Sequence, residues 1–130
     1  MSSNKLALSR DRSQKLELLK SRLGLRPYMI CRLAIGRSLA NKESVKEFQY
    51  EDSSGREFNR YTLAGDFDVH YKALIYQHEF EASGKRIPEQ YYFSVYFRRH
   101  MERGIDDLYQ EFIRMNTPVK FLLSLANGDN

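Results

Sequence analysis

Cysteine is all but missing from this chain. Cys31 is the single one in 130 residues, so no internal disulfide is available and no zinc-finger or ribbon spacing exists. Tryptophan is absent and proline occurs three times. Apolar runs are short, Phe121-Leu122-Leu123 among them, and none approaches the roughly twenty residues a membrane helix needs. No glycine-rich phosphate loop, internal repeat or low-complexity segment is present, so the residues call for no cofactor. Residues Met1 to Lys5 lack the apolar stretch of an export leader, which makes the cytoplasm the expected location. Acidic residues are scarce at one end. Residues 1–46 contain only Asp11, Glu17 and Glu43, against eleven Lys or Arg, whereas residues 47–130 hold fourteen acids and ten basic groups.

What is present suffices for one core. Hydrophobic residues make up 42% of the chain, with eight Phe and nine Tyr, so a single domain over residues 1–130 is expected. The amino-terminal cations are the footprint of a polyanion partner, because each neutralised phosphate releases a condensed counterion. No segment is expected to meet a membrane.

The pattern along the chain is mainly helical. Lys5 to Ser9 alternates polar and apolar residues and suits a short strand. Ser9 or Asp11 caps a helix to about Leu23 with Leu16, Leu19 and Leu23 inward, and Gly24 closes it. Pro27 opens a second helix to about Ala40 that is apolar nearly all round, as expected of a helix buried at a subunit interface or under the carboxy-terminal half. Gly36 offers that helix a close approach to a neighbour. Phe48 to Tyr61 reads as a hairpin or an extended excursion around Asp52-Ser53-Ser54-Gly55. A helix from Phe67 to about Ala82 carries two opposed apolar stripes and is expected between layers. Another follows Pro88 and stops at Gly104. Beyond it, Ile105, Leu108, Tyr109, Phe112 and Ile113 mark a helix with Asp106 and Asp107 at its positive end. Asn116-Thr117-Pro118 breaks it before a short apolar tail from Val119 to Ala126.

Chemistry-bearing clusters are few. Asp66, Asp68 and His70 form the only stretch resembling a metal or acid–base group, with Asp66 and His70 at i and i+4, although capping accounts for the two acids. They define the alternative of a metal-dependent DNA nickase or nuclease. His78 and His100 lack ligand spacing and read as packing residues. Cys31 has no base beside it and reads as a packed thiol. Arg98, Arg99 and Arg103 suit a helix end or a phosphate equally well. Catalysis has no positive support.

Three blocks carry a family resemblance: Gly24-Leu25-Arg26-Pro27-Tyr28-Met29-Ile30-Cys31-Arg32-Leu33-Ala34-Ile35, Gly55-Arg56-Glu57-Phe58-Asn59-Arg60-Tyr61-Thr62-Leu63-Ala64-Gly65, and Arg99-His100-Met101-Glu102-Arg103-Gly104-Ile105. In this order, over nearly the full length, they resemble the DndE family of DNA phosphorothioation proteins. The resemblance implies a non-catalytic, mainly helical DNA-binding subunit of the DNA sulfur-modification system. It further implies a homo-tetramer that favours nicked duplex DNA and works with DndC and DndD, which would leave the sulfur chemistry to other subunits. It places the DNA contacts at Lys5, Arg10, Arg12, Lys15, Lys20 and Arg22, to which the charge pattern adds Arg26.

The first 40 residues are also similar to a ribbon-helix-helix unit, a fold that pairs strands between subunits and reads the major groove with them. Lys5, Ala7 and Ser9 would be its outward positions, a thin base-reading set, and a transcriptional repressor is the corresponding alternative. The expected architecture is therefore a compact domain of about five helices. It carries a short amino-terminal strand, this two-helix unit and the small hairpin or excursion.

Overall fold

The computed structural model describes residues 4–115 and 118–127. The fold is mainly α with one small antiparallel sheet. Strand β1 (Lys5–Ala7) leads into helix α1 (Arg10–Leu23), and helix α2 (Pro27–Ala40) follows. An irregular excursion over residues 41–56 ends in β2 (Glu57–Asn59). Then come α3 (Arg60–Ala64), a 3-10 turn (Gly65–Phe67), α4 (Asp68–Ser83), a second 3-10 turn (Glu89–Tyr91), a π-helical stretch (Tyr92–Phe97), α5 (Arg98–Met115) and α6 (Pro118–Ala126).

Helix ends follow their cap chemistry. The Ser9 side chain accepts the Arg12 N–H at the start of α1, and Gly24, left-handed at φ 68°, donates its N–H to the Lys20 carbonyl at the end. Pro27 occupies the first turn of α2, where no amide donor is required. The β1 strand pairs with β2 of the same chain, Leu6 opposite Phe58, so its pairing differs from the intersubunit ribbon of a ribbon-helix-helix protein. Phe48 to Tyr50 forms no strand, so the stretch from Phe48 to Tyr61 is no hairpin: it runs irregularly to Arg56, only Glu57–Asn59 joins the sheet, and Arg60 and Tyr61 begin α3.

Helix α5 is the spine. It lies against α2 and α1, and Ile30, Ala34, Ile35, Leu16, Leu19, Met101, Ile105 and Leu108 fill the space between them. The apolar circumference of α2 is thus met by the chain's own carboxy-terminal half, while Met29 and Leu33 remain partly exposed. Gly104 does not stop a helix; it sits inside α5, where a Cβ would lie 1.8 Å from the Ala34 carbonyl oxygen. The close approach expected at Gly36 is made there instead, since a Cβ on Gly36 would meet nothing within 4 Å. Helix α4 is likewise less enclosed than its two stripes suggest. Ile75 and Glu79 are buried, but Val69, Leu74 and Phe80 are exposed. The break at Asn116-Thr117 lies outside the described residues, and the apolar tail forms α6, whose Phe121 packs edge-on to Phe112.

Candidate nucleic-acid interface

Eleven cations in the first 46 residues require either acidic partners or an external one, and the fold separates the two groups. Arg12 is turned inward from α1 and only 7% exposed. Its Nε and one terminal nitrogen donate to the two carboxylate oxygens of Asp106 at 3.1 and 2.8 Å, and the other donates to Glu51 at 2.8 Å. The guanidinium also lies over the Phe48 ring. Burial opposes its charge, but the Asp106 hydrogen bonds and the surrounding carboxylates raise its pKa above the ordinary value. Lys15 donates to the same Asp106 at 2.9 Å and lies 3.0 Å from Asp11. Asp106 therefore belongs to the interior of α5, bridging to α1, and does not mark a helix start. Arg12 and Lys15, both placed at the DNA surface by the sequence, are engaged within the fold.

Beneath them Glu102 is fully buried, accepting from the Ser9 hydroxyl at 2.7 Å and from Arg98 Nε at 2.7 Å. Arg98 also reaches Ser53 and the Asp52 carbonyl, and its guanidinium stacks 3.5 Å from the Tyr50 ring centroid. Arg99 donates to the Lys46 carbonyl, and Arg103 to the carbonyls of Ser38 and Glu43. The second basic cluster thus binds the 41–56 excursion to α5. Arg37 is paired with Glu111, and Arg32 donates to the Leu63 and Thr62 carbonyls.

The remaining amino-terminal cations face outward. Lys5 lies 3.8 Å from Glu57 and Lys20 3.8 Å from Glu17, both loose, exposed pairs. Arg10 is exposed beside Asp11, Glu51 and Asp52, with which it lines a shallow depression. Arg22 and Arg26 are exposed, and among the described residues no carboxylate pairs with either. Lys42 and Lys46, at the other end of α2, are similarly exposed. Among these outward-facing cations, those without a carboxylate partner among the described residues therefore lie at the two ends of α2: Arg22 and Arg26 at the turn after α1, beside Gly24 and the loosely paired Lys20, and Lys42 and Lys46 beyond Ala40.

Other candidates disperse. Asp68 accepts both guanidinium contacts of Arg60, at 3.1 and 2.7 Å, and the Tyr92 hydroxyl at 3.2 Å. Asp66, Asp68 and His70 do not converge into a ligand set among the described residues. Cys31 is fully buried and its thiol pKa is raised by desolvation, as a packed thiol requires. The residues that do converge are His78, Glu79 and His100. Burial pushes the Glu79 carboxyl up, but the adjoining His100, the Ser44 hydroxyl and the Val45 N–H outweigh it and hold Glu79 at about 2. The adjacent His-Glu pair in one helix is the available sequence signal, yet its partner stands 21 positions further on.

A family model described as "DNA sulphur modification protein DndE" matches residues 5–115. No curated protein matches the chain. Among solved structures, that of DndE from Escherichia coli B7A, involved in DNA phosphorothioation modification, is similar in fold. Its TM-score is 0.63 at 24% identity, over 83% of this chain and 98% of that one. A DndE G21/24K mutant involved in DNA phosphorothioation aligns with a TM-score of 0.60 at 22% identity, over 82% and 98%.

Proposed function

Since the chain belongs to the DndE family and so to the DNA phosphorothioation system, we propose that it is the system's non-catalytic DNA-binding subunit. It grips duplex DNA, nicked duplex above all, with the turn between α1 and α2. The observation that carries this reading is the unpaired charge at that turn. Arg22 and Arg26 have no acidic partner among the described residues, and Lys20 has only a long, exposed one. Arg10 and Lys5 are exposed too but stand beside carboxylates, Arg10 near Asp11, Glu51 and Asp52 and Lys5 near Glu57, and so contribute less. Arg22 and Arg26, helped by Lys20, act by phosphate neutralisation, which positions a protein on DNA without reading its sequence. Arg12 and Lys15 support the surface from beneath by fixing α1 on α5.

In this role the protein acts in the cytoplasm as a homo-tetramer, for which exposed Val69, Leu74 and Phe80 on α4 offer contact area. The sulfur-transfer steps are left to DndC and DndD.

A salt series with intact, nicked and single-stranded DNA tests the reading by fluorescence anisotropy. Nicked duplex should bind most tightly. An Arg22→Ala/Arg26→Ala variant should keep its fold and lower the slope of log affinity against log salt by about 2, close to one unit for each phosphate no longer neutralised. A variant that matches the parent in both affinity and slope would remove the turn from the interface.

A further inference from the structure

We propose that His78, Glu79 and His100 bind one divalent transition-metal ion of the zinc class where α4, α5 and the 41–45 segment meet. The three side chains come from two helices and converge almost completely shielded, at 9%, 1% and 0% exposure. Glu79 Oε2 lies 3.2 Å from His78 Nδ1 and 3.3 Å from His100 Nε2, and the three ligand atoms fall within 4.8 Å of one another.

The proton accounting leaves room for a cation. His78 Nε2 is 2.5 Å from the Asn41 carbonyl oxygen, which only accepts, so this nitrogen carries a hydrogen. In a neutral ring Nδ1 then presents a lone pair, and it faces the Glu79 carboxylate. With Nδ1 unprotonated, the two acceptors 3.2 Å apart call for a cation, either a second proton on the His78 ring or a metal ion. His100 Nε2 points at the same oxygen without an aligned hydrogen bond. Arg103 Nε donates to Ser38 Oγ, so the Ser38 hydroxyl donates to His100 Nδ1 and His100 Nε2 carries the proton that faces Glu79; a metal ion would replace that proton and would serve the His78 contact as well.

The surroundings are those of a ligand set held in place. His100 Nδ1 is fixed by the Ser38 hydroxyl at 2.8 Å. Glu79 accepts the Ser44 hydroxyl through its other oxygen and the Val45 N–H at 3.2 Å. Such outer partners set ring orientation and tautomer in metal sites. Two imidazoles and one carboxylate suit zinc and its neighbours, whereas calcium and magnesium demand oxygen donors. Tetrahedral bonds of about 2.0–2.2 Å set ligand atoms roughly 3.4 Å apart, so a pair as wide as 4.8 Å must close by about 1.4 Å on binding, through rotation of the side chains. A fourth position falls to water or to Ser44. Burial gives the ion a structural task, which is to pin the 41–45 segment to α4 and α5.

The test uses the whole chain after chelator treatment, titrated with Co2+ for its visible absorption and with Zn2+ by calorimetry. The proposal predicts one ion per chain, tetrahedral cobalt bands displaced by Zn2+, and a higher melting temperature with metal. His78→Gln should weaken Zn2+ by at least about tenfold. His100→Gln should do the same, and if that variant fails to fold, His78→Gln and Glu79→Gln decide. An Asp66→Ala/His70→Ala variant should bind as the parent does. Absence of saturable Co2+ or Zn2+ binding overturns the proposal, as does parent-like affinity in a folded His78→Gln.

Discussion

Two glycines, one on each of the central helices, should respond oppositely to the same methyl group. At Gly104 a Cβ would stand 1.8 Å from the Ala34 carbonyl oxygen, 2.3 Å from its carbon and 2.8 Å from Ala34 Cα. All three are backbone atoms of α2, so no rotamer change relieves the clash, and α2 and α5 must separate by roughly 1.5 Å to restore normal contact. Overpacking of this kind costs about 3 kcal/mol, against which alanine's better helix propensity returns about 1. The expected net loss is about 2 kcal/mol, a fall in melting temperature of roughly 8 °C for a chain of this length. At Gly36 the same group meets nothing within 4 Å, so only the propensity gain remains, about 0.5–1 kcal/mol. Thermal and urea melts of Gly104→Ala and Gly36→Ala, followed by far-ultraviolet circular dichroism, check both signs. A Gly104→Ala protein as stable as the parent would refute the described crossing of α2 and α5.

Two further outcomes follow from a half-buried carboxylate and a buried thiol. Arg12 and Lys15 outweigh the upward push of burial and hold the Asp106 carboxyl below the ordinary value of about 3.9. Its contribution is therefore present above about pH 4 and is lost as pH falls through the lowered value. Asp106→Asn should cost about 2 kcal/mol at neutral pH and less in acid, as urea melts across pH would measure; a constant difference at every pH would contradict the pairing. Cys31, buried with a raised thiol pKa, should resist a thiol reagent in the native protein and react once per chain in denaturant. Rapid native labelling would place it elsewhere.

Signals that depend on adjacent residues are legible in the sequence itself. Ser9, Gly24 and Pro27 mark helix ends because capping is settled within four or five positions. Gly104 misleads for the opposite reason. A glycine inside a helix and one just beyond its end look alike locally, and only the facing Ala34 distinguishes them. The apolar face of α5 does run on through Met101, Ile105 and Leu108, a continuity hidden by the break expected at Gly104. Periodicity likewise assigns α4 correctly as a helix but does not say how many of its faces find a neighbour. His78 and His100 escape notice as a pair because ligand spacing is read along one helix, whereas the fold sets their rings 4.8 Å apart across two.

Charge is the least transferable of the sequence signals, because composition counts ions without assigning partners. The surplus at the amino end and the deficit beyond residue 46 are two halves of one device. Asp106, Glu51 and Glu111, all from the acidic portion, meet Arg12, Lys15 and Arg37 from the basic one. Burying an acid such as Glu102 without cations nearby would carry a desolvation cost of several kcal/mol; Arg98 of α5 meets it at 2.7 Å, and Arg12 of α1 adds a second cation at 3.8 Å. Net charge thus overstates the surface available to a polyanion. What remains outside is a smaller set at the two ends of α2: Lys42 and Lys46 beyond Ala40, and Arg22 and Arg26 around Gly24, which project without acidic partners among the described residues. Under the proposed function, the charge offered to a phosphate backbone at that turn is charge that folding has left uncompensated, and its neutralisation of phosphates is what would release counterions.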